Sequence, residues 1–335
     1  MKRTLKFVLA GVMVAVGFGA QAADVQSRLI RFGYGLAEDS VQGRAANFFA
    51  EEVARLSDGK LKVRAFCCAS LGNDNQMQAA LVGGAQEMMV GSTATLVGIV
   101  KEFGVFDLPF LFKNPETADK VLDGPFGQKL LDKLPEYGLI GLVYWENGFR
   151  DLTNSQRPIT SAEDLSGIKL RVMQNPVFLD VFSNLGANAV PMPFAELFTA
   201  LETGTVDGQE NPVTTIQTSK FYEVQKYLTI SRHVYSPWIV TASEVWWDKL
   251  SDDEKNIMRQ AADASRDFER KDSRESTQKA LVYLQEQGME INELSDGEVQ
   301  KMQEKVKPVV DKYQQELGED TVNELYEAID QAGQQ

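Results

Sequence analysis

The stretch AANFFAEEVARLSDGKLKVRAF, residues 45–66, places a segment of period 3.6 directly before one of period 2. Ala45, Phe48, Phe49, Val53 and Leu56 form one apolar stripe, with Glu51, Glu52 and Arg55 on the wet face. Gly59 can take the left-handed conformation that ends a helix. Beyond it Leu61, Val63 and Ala65 alternate with Lys62 and Arg64, as a half-buried strand requires. A helix therefore feeds a strand.

The same alternation runs outward from this stretch. It predicts a helix near 75–81, a strand near 87–90, a helix near 115–134 and a strand near 139–145, which complete one lobe. After Arg150 a second series follows: strand 169–173, helix 176–185, strand 189–192, and a helix from Phe194 whose Leu197, Phe198 and Leu201 extend one stripe. Strands interleaved with helices specify an α/β protein with parallel sheet. The capping box Ser251-x-x-Glu254 opens a run without proline or glycine up to Gly288, which predicts one long helix. Its first half is amphipathic through Ile257, Ala261, Ala264 and Phe268, whereas 269–279 is almost wholly polar and is expected to lie exposed between lobes. Helices near 297–315 and 321–331 close the chain.

The 335 residues are 43% hydrophobic and 24% charged, a composition large and apolar enough for two lobes. Asp and Glu number 48 against 34 Lys and Arg, so the net charge of −14 repels nucleic acid and excludes that class of partner. Lys2, Arg3 and Lys6 precede an uncharged run from Phe7 to Ala20, and Ala20-Gln21-Ala22 reads as a cleavage site. Residues 1–22 are thus expected to be a secretory signal peptide cut after Ala22, too short in its apolar run for the ~20 residues that span a membrane. The mature chain is expected to be soluble, periplasmic and not membrane-embedded.

The search for catalytic chemistry is informative by what it lacks. There is no nucleophile elbow and no phosphate-binding loop, and Gly33-Tyr34-Gly35 lacks the third glycine of a dinucleotide fingerprint. The single histidine, His233, reads as a structural residue of a strand, and no metal site or cofactor is expected. Cys67 and Cys68 are adjacent, leaving free thiols and a vicinal disulfide both open. Two arginines stand out. Alternation in 169–173 puts Arg171 on the strand face opposite Leu170 and Val172, and Arg150 ends the strand and turn that separate the lobes. A guanidinium fork matches a carboxylate, although an internal ion pair with one of the many acids is the alternative. The Gly208–Pro212 segment reads as a turn with amide and carboxylate groups at its tip.

Several strings carry a family resemblance. They are Leu71-Gly72 followed by a polar helix start, Val90-Gly91-Ser92-Thr93, Asp107-Leu108-Pro109-Phe110-Leu111-Phe112, and Tyr144 to Arg150 leading into Leu152-Thr153-Asn154-Ser155. The series continues with Gly167 to Val172, Pro191 to Glu196, Val206 to Pro212, and Lys220 to Lys226. In this order the chain resembles the solute-binding proteins of tripartite ATP-independent periplasmic (TRAP) transporters, the family of C4-dicarboxylate, sialic-acid and sugar-acid receptors. The resemblance implies a two-lobed periplasmic-binding-protein-like fold with a central cleft and a long helix spanning both lobes. Lobe 1 would comprise 23–148 plus 236–275, and lobe 2 would comprise 149–235 plus 276–335.

Such a protein would close around a small sugar, hydroxy or dicarboxylic acid and deliver it, as a monomer, to the small and large membrane subunits of a permease. It implies Arg171 as carboxylate clamp, Arg150 as its assistant, Asn211 on the same carboxylate, and Phe194 lining the pocket. By position Glu38, Asp39, Ser92, Thr93, Trp145 and Tyr235 are further ligand contacts. Cys67 and Cys68 depart from the proline and small polar residues of the family. A periplasmic enzyme of lyase type, using Glu146 or His233 as base, is the rival expectation.

Overall fold

Two strands, far longer than the sequence pattern suggests, organise the molecule. A computed structural model describes residues 24–334, so the expected signal peptide lies outside the described residues. The strands are β1 Arg28–Gly33, β2 Leu61–Phe66, β3 Met88–Ser92, β4 Leu139–Asn154, β5 Lys169–Val172, β6 Asn188–Pro191, β7 Gly208–Asn211, β8 Tyr227–Ser243 and β9 Glu290–Glu293. They form one sheet in the order β2-β1-β3-β8-β4-β7-β5-β6, with β9 added on β8.

Parallel strands β1, β2 and β3 build lobe 1, and parallel β5 and β6 with β7 build lobe 2. The antiparallel pair β4 and β8 belongs to both. β3 pairs with β8 from Trp238 to Ala242, β9 pairs with β8 from Tyr227 to Ile230, and β7 pairs with the last residues of β4. The lobes meet where Glu146 and Gly148 face Pro237 and Ser236 across a register shift. The sequence pattern predicts that the strand stops at Trp145 and turns at Asn147-Gly148. Instead the extra residue is absorbed as a bulge, with Gly148 at φ +105°, and β4 runs on into lobe 2.

The expected turn at 208–212 is likewise corrected. Gly208–Asn211 is a fully buried strand, held antiparallel to β4 on one side and parallel to β5 on the other, and pairing on both sides overrides the turn propensity of its residues. The helix expected over 115–134 is broken into Pro115–Leu122 and Pro125–Leu131, because Pro125 has no N–H to continue the ladder.

The long helix spans Asp252–Glu286, 35 residues, and begins with the predicted capping box on Ser251 and Glu254. Ile257, Met258, Ala261 and Ala262 join the lobe 1 core, and Phe268 stacks on Phe48 at 4.4 Å. Ala280 and Leu284 join the lobe 2 core beside Val213 and Ile216. Its polar middle is exposed on one face only: Lys271, Glu275, Gln278 and Lys279 face water as expected, whereas the face toward β4 is buried. Glu269 is completely buried and Arg270 and Ser273 nearly so, because this stretch lies against β4 where the lobes cross. Glu269 Oε2 accepts the Glu146 N–H at 2.7 Å, Arg270 grips Asp123 at 2.6 and 2.9 Å, and Arg274 reaches Asp119 at 2.7 Å and Glu146 at 2.8 Å. Arg270 and Arg274 enter as paired charges, whereas Glu269 has no cationic salt-bridge partner among the described residues and burial pushes its carboxyl well above the ordinary range.

The last two helices pack on different neighbours. Asp296–Leu317 packs on Pro176–Leu185, with Lys312 on Asp180 at 2.7 Å. Glu319–Gln334 packs on Pro115–Leu122, with Lys120 Nζ donating to Ala332 O at 3.1 Å, and on the preceding helix Asp296–Leu317. Among the described residues no helix is long and apolar enough to cross a membrane.

Candidate functional site

A cavity opens between the lobes, with about 710 Å³ of empty space when its open mouth is included. Its walls are the carboxyl ends of the parallel strands and the segments that follow them: Gly35 and Leu36 after β1, Ser92 ending β3, Met173 and Gln174 after β5, Met192 to Ala195 after β6, and Asn211 ending β7. Open α/β sheets place ligands at this edge, where backbone groups are unpaired and loops can converge.

Arg171 reaches the cavity from β5, with Leu170 and Val172 in the core on the opposite face as alternation requires. Only 2% of its surface is exposed. Nε and Nη2 donate to Met192 O at 2.9 and 2.6 Å, Nη1 has no partner, and Phe194 lies 5.9 Å from the guanidinium carbon. Burial lowers its pKa to about 10, which still leaves it charged at neutral pH.

Arg150 is differently placed. Its Nε and Nη2 fork onto the Glu210 carboxylate, the Nη2···Oε1 distance being 2.9 Å, and Nη2 also meets Glu210 O at 2.6 Å and Asn211 Oδ1 at 3.2 Å. His233 Nε2 stands 3.2 Å from the same carboxylate. Burial opposes the Glu210 charge, but Arg150 and His233 outweigh it and hold the carboxyl below its ordinary range. Sequence reasoning left an internal ion pair open for both arginines, and for Arg150 that is the outcome. A fully buried guanidinium needs a countercharge. It retains one free donor, Nη1.

Of the other residues expected to contact a ligand, Asn211, Phe194 and Ser92 line the cavity with Arg171 and Arg150. Asn211 Nδ2 donates to Gln209 Oε1, and Ser92 N donates to Asp74 Oδ2 at 3.2 Å. The remaining five lie elsewhere. Glu38 and Asp39 are exposed in the turn before the helix Val41–Leu56, Thr93 is buried with its hydroxyl on Pro237 O, Trp145 packs in the lobe 1 core against Phe32, and the Tyr235 hydroxyl donates to Glu146 at 3.2 Å. None of the five is in the cavity wall. Glu146 and His233, the bases of the rival enzymatic expectation, are also outside it. Cys67 and Cys68 are free thiols one residue before Ala69, which does line the cavity, and burial pushes the Cys68 thiol up to about 11.

The wall contains residues that sequence reasoning did not select, among them Asp74, Asn147 and Thr215. Each left a signal. Asp74 opens the polar helix after Leu71-Gly72, Asn147 lies inside the Tyr144–Arg150 string, and Thr215 follows Asn211-Pro212. Four cavity side chains, Arg171, Arg150, Asn147 and Thr215, bury a polar atom that has no hydrogen-bond partner: Nη1, Nη1, Oδ1 and Oγ1. An unpaired buried polar group costs about 1–3 kcal/mol, so four around one hollow mark a place shaped for a polar guest. Among the described residues no cluster of three His, Cys, Asp or Glu side chains is placed to hold a metal ion.

Residues 32–316 match the family model described as bacterial extracellular solute-binding protein, family 7. The crystal structure of the sugar acid binding protein DctPAm from Advenella mimigardefordensis, in complex with galactonate, shares 56% identity with this chain over 92% of it and 100% of that chain, with a TM-score of 0.91. A TRAP periplasmic solute-binding protein from Polaromonas, bound to D-erythronate, shares 39% identity over 89% of this chain and 98% of that chain, with a TM-score of 0.86. The C4-dicarboxylate-binding periplasmic protein DctP of Rhodobacter capsulatus is 34% identical over 88% of this chain and 89% of that protein. The sheet order, the interlobe cavity and these matches together establish that the chain belongs to family 7 of the bacterial extracellular solute-binding proteins, the family of TRAP transporter receptors.

Proposed function

We propose that the protein is a periplasmic receptor that captures a small organic acid of the sugar-acid class, closes its two lobes around it and presents it to the membrane subunits of a TRAP permease. The observation that carries this reading is the convergence of four unpaired polar atoms on one cavity, two of them guanidinium donors. Arg171 is the clamp: its charge meets no carboxylate in a salt bridge among the described residues, and Nη1 is free to take a ligand carboxylate. Arg150 Nη1 and the second N–H of Asn211 Nδ2 supply neutral-side donors to the same headgroup, since the Arg150 charge is already met by Glu210. Phe194 covers Arg171 and keeps water from competing.

The lobes would hinge at the crossing of β4 and β8, close to the expected boundaries at 148/149 and 235/236, with the long helix bridging them. A leader at 1–22, as the sequence leads one to expect, would fit delivery to the periplasm. Isothermal titration with galactonate, erythronate and succinate tests the reading, paired with mass spectrometry of the recovered acid. Saturable binding with the acid returned intact supports it; absence of binding to every carboxylic acid, or conversion of one, refutes it.

A further inference from the structure

The cavity wall contains three charged side chains: Arg150, Arg171 and Asp74. Glu210 pairs with Arg150 from behind, so only Arg171 offers an unspent positive charge, and no lysine or histidine lines the wall. Asp74 is the opposing charge. It is the first residue of the helix Asp74–Val82, where Asn73 already caps the helix end by accepting the Gln76 N–H at 3.0 Å. The Asp74 carboxylate is thus not needed as the cap. One oxygen, Oδ2, accepts the Ser92 N–H at 3.2 Å, and no salt bridge reaches Asp74 among the described residues. Gly91 leaves room for it: a Cβ there would come within 3.1 Å of Oδ2.

We propose that Asp74 is the specificity-determining residue of the site, accepting hydrogen bonds from ligand hydroxyls and rejecting a second carboxylate, so that the receptor takes polyhydroxy monocarboxylates and excludes dicarboxylates. The inference rests on the receptor reading above and refines it. One ligand carboxylate uses the free cation, Arg171. A second carboxylate would enter a wall whose remaining cation is already neutralised and whose unpaired charge is negative, and a buried like-charge contact is a strongly unfavourable arrangement. A hydroxyl meets the opposite reception, because it can donate to Asp74 and make a charge-assisted hydrogen bond. Asn73, Asn75, Gln42 and Gln174 line the same wall and supply further neutral polar groups for a hydroxylated chain. Burial pushes the Asp74 carboxyl up on balance, the Ser92 N–H, the Arg171 charge and the Thr95 hydroxyl offsetting it only in part.

The test compares acids of equal length by isothermal titration of the mature protein: galactonate against its diacid galactarate, and erythronate against meso-tartrate. The wild type is expected to bind the better monoacid at least about thirtyfold more tightly than its diacid. In D74N the monoacid should weaken about tenfold while the preference over the diacid shrinks to about threefold or less. Equal binding of monoacid and diacid by the wild type would overturn the proposal, as would an unaltered preference in folded D74N. The wild-type comparison requires no variant, so it decides even where D74N is unstable. Binding of neither class would instead refute the receptor reading, and this inference with it.

Discussion

The Glu210 carboxylate holds the Arg150 guanidinium from behind, Oε1 at 2.9 Å from Nη2, with both side chains almost completely buried. The pair crosses from β4 to β7, so it ties the shared strand to lobe 2 at the cavity wall. Removing one member would leave the other as an uncompensated buried charge. E210A is therefore expected to lower stability by about 3–5 kcal/mol, and E210Q by less, as read from urea denaturation. Unchanged denaturation midpoints would show that the pair does not support the fold.

Arg171 separates binding from stability. R171K keeps a positive charge but loses the planar fork that satisfies Met192 O while aiming Nη1 at a ligand. The variant should bind carboxylate ligands at least about tenfold more weakly, each charge-assisted hydrogen bond contributing about 1.5–3 kcal/mol. Calorimetry checks this, and an affinity equal to wild type for every carboxylate would remove Arg171 from the site.

Arg274 fastens the long helix to the interlobe crossing through Asp119 and Glu146. Its loss would leave Glu146, only 4% exposed, without its cationic partner. R274A is expected to cost about 1–3 kcal/mol, checked by thermal unfolding, and the double variant R274A with E146Q should recover part of it. A recovery of zero in that cycle would argue that the two groups are not coupled.

Asp107 predicts a pH dependence. Its carboxyl is wholly buried beside Asn175, Arg150 and Glu210, and burial pushes its pKa from 3.8 to about 8. The folded state then keeps a proton that the unfolded chain releases between pH 4 and 8. Its contribution to stability is complete below pH 4 and declines as pH rises toward 8, by up to about 1.4 kcal/mol per pH unit. In D107N this component should vanish, while the amide retains a hydrogen-bonding group for Asn175. Denaturation midpoints for both proteins at pH 4, 6 and 8 measure the difference, and parallel curves would exclude the effect.

Periodicity in the chain determined the helices and the outer strands, because an apolar stripe or an alternating face is a local property: Val41–Leu56, Leu61–Phe66 and Pro176–Leu185 fall close to where their patterns predict. The strand position of Arg171 was legible for the same reason, opposite Leu170 and Val172. The tertiary structure alone decided three things. It ran β4 through Asn147-Gly148 into the second lobe, since pairing with β8 on one side and β7 on the other outweighs a local turn preference. It buried one face of the polar middle of the long helix, since Asp119, Asp123 and Glu146 come from distant segments to meet its arginines. And it divided two similar arginines into different roles, giving Arg150 to Glu210 and leaving Arg171 free, because which carboxylate reaches a guanidinium depends on contacts between residues 60 positions apart that no local pattern encodes.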